Sequence, residues 1–135
     1  MKTLSSCVVL LIAFLATGCG GKELYTVRGT VVFAEDGTPL NGGWVYFERT
    51  EGDSAHSADS PIEPDGTFEL RTAQPKDGVP VGKYRVLVKP QERPGPSGQR
   101  LPPIIHPKFE RFETSGIERV VEAKTNVFEI KVSKP

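Results

Sequence analysis

The chain has 135 residues, and its 17 lysine and arginine residues balance its 17 aspartate and glutamate residues. This length favours a single domain, and the zero net charge argues against a nucleic-acid-binding protein, which usually carries a basic excess to neutralise phosphates. The 14 glycines and 12 prolines interrupt the chain too often for a bundle of long helices. The composition is that of a globular domain rather than a membrane bundle or a disordered chain.

The first 18 residues are expected to be an export signal. Lys2 supplies a positive start, and an uninterrupted apolar run follows from residue 7 to residue 16. A membrane-spanning helix needs about 20 apolar residues, so this shorter run is typical of a signal peptide. A buried N-terminal helix or strand is the alternative, but nothing downstream has the helical periodicity to pack against it.

The end of this signal resembles the bacterial lipobox, in which small residues precede a cysteine. The sequence reads Leu15-Ala16-Thr17-Gly18-Cys19, with alanine at the position where leucine is usual. The resemblance implies that Cys19 receives diacylglycerol and begins the mature chain, with residues 19–23 as a tether. The alternative is ordinary cleavage, which would leave Cys19 as a free thiol. Lipidation predicts a bacterial cell-envelope protein, anchored to a membrane by lipid and facing the periplasm or the cell surface.

The mature chain is expected to consist of short strands between glycine-rich and proline-rich turns. Six segments show alternation or a high content of aromatic and β-branched residues, and they are residues 25–33, 44–48, 67–71, 83–89, 117–122 and 126–132. A weaker seventh segment surrounds residues 56–58, and no helical stretch is expected after the signal. Many short strands predict an antiparallel β-sandwich, with a small open barrel as the alternative.

The last strand is the clearest one-sided strand of the chain. Phe128, Ile130 and Val132 share one face, while Glu129 and Lys131 share the other. We therefore expect Phe128 to be enclosed between the two sheets.

The segment from residue 90 to residue 116 interrupts the strand pattern. It is longer than most loops of compact domains, and residues 90–107 hold six of the twelve prolines. Ile104, Ile105, Phe109 and Phe112 favour a loop that is tucked against the edge of the sandwich. A binding lid is the alternative.

The order of turns and strands resembles carboxypeptidase regulatory-like domains over residues 24–133. The matching segments are Val27-Arg28-Gly29-Thr30-Val31, residues 36–43, Val45-Tyr46-Phe47, Asp65-Gly66-Thr67-Phe68-Glu69-Leu70 and Gly82-Lys83-Tyr84-Arg85-Val86. Segments near residues 107–109, 114–117 and 126–128 further resemble small bacterial lipoproteins built from this domain alone. The resemblance implies a seven-stranded prealbumin-like (transthyretin-like) sandwich, and the family name does not imply peptidase activity. Gly43 replaces a usual alanine, and Val81 replaces a usual proline.

Candidate catalytic and metal-binding residues are few. His56 and His106 lie about fifty residues apart, without the local ligand spacing of a zinc site. His56 has serine and aspartate neighbours, but a catalytic triad needs members held rigidly by different elements. The run that begins at residue 61 resembles a calcium loop only in Asp65-Gly66, because Pro61 and Thr72 occupy the first and twelfth positions, where carboxylates belong. The chain also lacks the paired histidines and the Tyr-Arg-Gly-Ser ending of hydroxyisourate hydrolase, which also has a transthyretin-like fold. We therefore expect no enzyme, catalytic residue, metal or cofactor.

The best candidate for ligand binding is the aromatic pair Trp44 and Tyr46. If Val45 and Phe47 point inward, alternation places Trp44 and Tyr46 together on the outer face of the sheet. There they could stack on sugar rings or contact a partner protein, unless the 90–116 segment covers them. The sequence thus favours a lipid-anchored envelope protein with a binding or structural module, whose partner is an envelope protein or a polysaccharide. A carbohydrate-binding module that uses the aromatic pair is the alternative.

Overall fold

The computed structural model describes residues 23–51, 56–72 and 78–135. The described residues do not include the expected signal peptide or residues 19–22 of the tether, to which Cys19 belongs. Seven strands follow one another in the described chain, namely β1 (Val27–Phe33), β2 (Trp44–Arg49), β3 (Ser57–Pro61), β4 (Thr67–Glu69), β5 (Gly82–Lys89), β6 (Ile117–Val121) and β7 (Asn126–Val132).

The strands form two sheets that enclose one hydrophobic core. The smaller sheet has the order β4-β1-β7, and the larger sheet has the order β3-β2-β5-β6. In most strands the alternate side chains that point between the sheets are apolar, as in Val45 and Phe47 of β2, and both are fully buried. The predicted all-β sandwich is confirmed.

One strand pair departs from the antiparallel arrangement expected from the sequence. β1 and β7 run parallel along their whole length, from Val27 opposite Asn126 to Phe33 opposite Val132. The other strand pairs, β1–β4, β2–β3, β2–β5 and β5–β6, are antiparallel. Parallel strands need a long connection rather than a hairpin. Here the rest of the sandwich lies between the two strands in sequence, and nothing in the local pattern of either strand specifies its direction.

Two short helical turns correct the expectation that no helix follows the signal peptide. Pro107–Glu110 form a 3₁₀ turn, and Phe112–Ser115 form a short helix, α1, which ends at Gly116 with a φ of 68°. Each has only four residues, which is too short for a 3.6-residue hydrophobic period to show in the sequence. The weak seventh strand is present as β3, although it begins one residue later than expected and extends to Pro61.

The centre of the core is a cluster of aromatic rings around Phe47. The ring of Phe47 lies 6.2 Å, centroid to centroid, from each of the rings of Phe68, Tyr84 and Phe128. The Tyr84 hydroxyl donates a hydrogen bond of 2.9 Å to the carbonyl of Pro80, which satisfies its polar end inside the core. Burial raises the pKa of this hydroxyl above its usual value.

A glycine in β1 makes room for these rings. Gly29 lies on the inner face of β1, between Phe68 on β4 and Phe128 on β7. A Cβ at this position would lie 2.0 Å from the backbone oxygen of Phe128 and 2.9 Å from the ring of Phe68. The glycine of the Val-x-Gly-x-Val segment is therefore required by the close approach of neighbouring strands.

Two Asp-Gly-Thr turns close the same end of the sandwich with the same hydrogen bonds. The carboxylate of Asp36 accepts from the amide and the hydroxyl of Thr38, at 3.0 and 2.7 Å. Asp65 accepts in the same way from Thr67, at 3.0 and 2.6 Å. The threonine hydroxyl is the main cause, and the amide the second, of a pKa below the usual range at each aspartate. Both turns therefore keep an ionised, hydrogen-bonded carboxylate at neutral pH.

The sandwich has two distinct ends, which we call the tether end and the far end. β1 begins at the tether end, where Tyr25 pairs with Val79 and the amide of Asn126 donates to the carbonyl of Thr26. β1 finishes at the far end, where the amide of Leu40 donates to the carbonyl of Val31. β2 starts at this far end, because the amide of Ile62, in the turn before β4, donates to the carbonyl of Gly43. β5 finishes there too, because Lys89 pairs with Trp44. The 34–43 and 62–66 turns and the first part of the 90–116 segment therefore gather at the far end.

Candidate ligand-binding groove

The aromatic pair lies on the outer face of the larger sheet, as alternation along β2 predicts. The rings of Trp44 and Tyr46 are 6.3 Å apart between centroids and inclined by 29°, so they stack side by side. Trp44 is 44% exposed and Tyr46 is half-buried. The 90–116 segment does not cover the Trp44 ring, which leaves an aromatic surface open to solvent.

Neighbouring strands place polar groups beside these rings. In the sheet register Trp44 lies opposite Lys89 on β5, and Tyr46 lies opposite Asp59 on β3. The ammonium group of Lys89 lies 5.9 Å from the centroid of the Tyr46 ring, which is within the range of a cation–π contact. The stacked rings are thus flanked by a cation on one side and a carboxylate on the other.

A cleft of about 540 Å³ opens beside the pair, and we call it the aromatic cleft. Trp44 and Tyr46 form one part of it, the 62–64 turn another, and residues 89–92 face them. Gly42 and Gly43 form its base with φ angles of 84° and 102°. A Cβ on Gly43 would lie 2.3 Å from the carbonyl oxygen of Lys89. The glycine that replaces the usual alanine is therefore required at this position in this chain.

A second cleft of about 580 Å³ lies next to the first, and we call it the cationic cleft. Phe33, Pro39 and Ile104 provide its apolar surface, and Arg93 and Lys134 provide its positive charges. The Lys134 ammonium lies 3.4 Å from the Asp36 carboxylate and 5.4 Å from the centroid of the Phe33 ring. Arg93 has no carboxylate partner among the residues that the structure describes.

The 90–116 segment divides into two parts with different roles. Ile105 and Phe109 are buried in the core, and Ile104 packs against it, so this part is tucked against the sandwich as expected. Residues 91–94 and 96–100 are exposed, and the hairpin between Pro94 and Arg100 is fixed by the Gly95 amide, which donates to Gln99. This earlier part of the segment therefore borders the clefts in a conformation that the hairpin defines.

Neither His56 nor His106 belongs to this groove. His106 lies at the start of the 3₁₀ turn, where its Nδ1 accepts a hydrogen bond of 3.2 Å from the Lys108 amide, so its role is to cap the turn. His56 precedes β3, and its carbonyl accepts from the Arg49 amide. Within residues 23–51, 56–72 and 78–135, no three His, Cys, Asp or Glu side chains gather as a metal site would require.

A helix that crosses a membrane must be both long and apolar. None of the helices over the described residues combines the length and the apolar character that a membrane span requires.

The sequence pattern predicts the rings of the groove but not its polar residues. Asn41, Gln91 and Arg93 line the clefts from loops, where no period relates a residue to a face. Lys89 ends the predicted strand 83–89, but placing it opposite Trp44 on β2 requires the strand register, which the sequence pattern alone does not give.

The fold and the groove define a β-sandwich module with an exposed aromatic site. No protein-family profile matches this chain, and none of the curated proteins matches it. Solved structures similar to it include a DUF3823 family protein from Bacteroides uniformis, with 18% identity over 82% of this chain and 43% of that one and a TM-score of 0.45. The major pilin subunit of Bacillus cereus is 9% identical over 82% of this chain and 30% of its own, with a TM-score of 0.46.

A 9R-lipoxygenase from Cyanothece is also similar, with 15% identity over 83% of this chain and 17% of the lipoxygenase and a TM-score of 0.42. This chain thus spans less than half the length of each of the three proteins. At such identities and TM-scores, no activity passes from them to this chain.

Proposed function

We propose that this chain is a non-enzymatic, lipid-anchored cell-envelope protein whose β-sandwich binds a partner through the Trp44–Tyr46 face. The observation that carries the proposal is the stacked pair itself, since exposed aromatic surface beside a cleft is typical of an interaction site. Trp and Tyr are also the side chains that most often dominate binding energies. The rest of the larger sheet's outer face is mainly charged, with the ion pairs Arg85–Glu48 and Lys83–Glu118.

The anchoring part of the proposal rests on residues 15–19 and on the resemblance to small carboxypeptidase regulatory-like lipoproteins. Two properties of the described chain support that resemblance. It has seven strands in two sheets, and Gly29 and Gly66 occupy positions where a Cβ would lie less than 3 Å from a neighbouring atom. Acyl chains on Cys19 would hold the domain at a membrane surface without a spanning helix.

A carbohydrate is the second candidate for the partner, and the groups around the rings favour it over an apolar protein surface. Lys89 and Asp59 flank the rings, and the side-chain amides of Asn41 and Gln91 line the aromatic cleft. Sugars present apolar ring faces with hydroxyls around their rim, so rings surrounded by donors and acceptors match them.

Trp44→Ala is expected to abolish ligand binding while leaving the melting temperature nearly unchanged. Trp44 is 44% exposed and lies outside the buried core, so its removal creates no internal cavity. Because Trp44 is the single tryptophan of the chain, titrating the unaltered protein with sugars while following its fluorescence reports directly on this site.

Val120→Ala is the matched control for this experiment. Val120 lies on the same outer face and is 56% exposed, but it is in β6, away from the clefts. The Val120→Ala variant should retain ligand binding. A fall of more than about 10 °C in the melting temperature of the Trp44 variant would show that the ring is structural, and unaltered binding would exclude the face as the site.

Cys19→Ser is expected to release the protein from the membrane fraction into the periplasmic or extracellular fraction. The hydroxyl cannot receive the thioether-linked diacylglycerol, and the loss of the acyl chains removes about 0.8 kcal/mol of membrane affinity per buried CH₂. Fractionation and mass spectrometry of the mature N-terminus measure the result. Cys7→Ser, within the apolar run, should leave anchoring intact. A Cys19→Ser protein that is processed and still sediments with membranes would refute the lipid anchor.

A further inference from the structure

The two clefts are neighbouring parts of one groove. Asn41 and Gln91 line both the aromatic cleft and the cationic cleft. The groove therefore runs across the far end of the sandwich, from the Trp44–Tyr46 rings past two side-chain amides to Arg93 and Lys134. Its shape suits a linear ligand that is longer than one ring, because a single sugar would occupy only one of the two clefts.

Charge is distributed unevenly along this groove. At the aromatic cleft the ammonium of Lys89 is balanced by the carboxylate of Glu92, which lines the same cleft. At the cationic cleft the lining residues Arg93 and Lys134 have no acidic side chain among them. Asp36, which does not line the cleft, forms an ion pair with Lys134. Of the two cations that line the cationic cleft, Arg93 is therefore the one without a carboxylate partner among the described residues, and it can bind a ligand. Counted over the lining side chains alone, the groove thus has no net charge at the aromatic cleft and a positive charge at the cationic cleft.

We propose that the groove binds a linear acidic glycan, with a neutral ring against Trp44 and a carboxylate or phosphate group at Arg93. This inference rests on the proposed binding function and adds its ligand class and orientation. Aromatic rings stack on the apolar faces of sugars, the amides of Asn41 and Gln91 can both donate to and accept from hydroxyls, and a guanidinium binds an oxyanion with two parallel hydrogen bonds.

The sheet topology argues against a peptide in the same groove. A peptide commonly binds a β-sheet by adding a strand to an unpaired edge. The aromatic pair lies on β2, which is paired on both sides, with β3 and with β5. No backbone donors or acceptors of β2 remain for a peptide at this place, so recognition there depends on side chains, as in sugar binding.

The test uses the mature chain produced without its acyl chains and a panel of immobilised linear glycans of two to six sugars. The panel pairs neutral glycans with otherwise matched glycans that carry uronic acids or phosphodiesters. The expected result is retention on acidic glycans of three or more sugars, with uronic acid and phosphodiester arms identifying the acidic group. Affinity should fall as salt is raised, because the ionic part of binding is screened.

Two variants locate the charge contact. Arg93→Ala should weaken binding to the acidic glycan by about tenfold or more, the loss expected for a charge-assisted pair, and it should reduce the preference over the matched neutral glycan. Arg100→Ala is the matched control, since Arg100 lies exposed in the same hairpin but does not line either cleft. Circular dichroism of both variants verifies the fold.

The outcomes separate this inference from the proposed function. Equal binding of neutral and acidic glycans that depends on Trp44 but not on Arg93 would overturn the acidic ligand and leave the binding face intact. Capture of proline-rich or other peptides in place of glycans, again through Trp44, would also overturn it. If no glycan on the panel binds, the glycan assignment fails, whereas the binding face itself fails only if Trp44→Ala alters the binding of no partner from the cell envelope.

Discussion

Gly29→Ala is expected to lower the free energy of unfolding by about 3 kcal/mol or more, at the upper end of the cost of overpacking a core. The added methyl would lie 2.0 Å from the carbonyl oxygen of Phe128. That oxygen belongs to the backbone of β7, which is paired with β1 along seven residues, so it cannot move without opening the sheet. Urea denaturation followed by circular dichroism measures the loss as a lower midpoint.

Gly37→Ala is the matched control for this substitution. Gly37 has a φ of 73°, but a Cβ there would meet nothing within 4 Å. It should therefore cost only the backbone strain of a left-handed residue, about 1 kcal/mol. Similar midpoints for the two variants would show that β1 and β7 do not approach as closely as the structure has them.

Phe47→Ala is expected to cost about 3–5 kcal/mol, as with other fully enclosed aromatic side chains. Phe47 is wholly buried and packs against three other rings, one on β5 and two on the opposite sheet. Its deletion leaves a cavity between the sheets that these rings cannot fill, because each of them is held by its own strand. Thermal and urea unfolding of the variant measure the loss.

Phe128→Ala should be less destabilising, at roughly 2 kcal/mol. The sequence predicts that Phe128 is enclosed between the sheets, and it does lie on the inner face, but it is only half-buried. The reason is that β7 is the edge strand of its sheet, so one side of the ring meets the guanidinium of Arg119 at 6.0 Å instead of a further strand. Glu129→Ala, on the outer face, should cost little. A Phe128 variant as unstable as the Phe47 variant would contradict this order.

The sequence pattern predicts the sandwich well where one face of a strand is buried. Alternation in β1, β2 and β7 and the Asp-Gly turns locate most strands to within two residues, because burial on one face imposes a period of two. The sequence pattern fails to predict the structure where tertiary contacts decide it. β3 contains only Ala58 and Ser60 on its inner face, and the direction of β7 beside β1 depends on pairing across almost the whole chain.

The candidate site, too, could be predicted from the sequence only in part. Alternation is sufficient to place Trp44 and Tyr46 on one outer face, since it needs only the strand itself. The walls of the groove come from the 34–43 turn and the 90–106 loop, whose conformations depend on Gly43, on the buried Ile105 and on the hairpin between Pro94 and Arg100. No local signal indicates that Arg93 and Lys134, far apart in the chain, line one cleft.

The two ends of the sandwich determine which way the groove is displayed. β1 leads away from the tether end for seven residues, a rise of about 20 Å, and the groove opens at the end that β1 reaches. If Cys19 is acylated as we propose, the anchor attaches on the side of the tether end, and the groove lies at the opposite end of the sandwich. Its ligand would then approach from the space in front of the membrane, and molecules embedded in the same lipid leaflet would be out of reach.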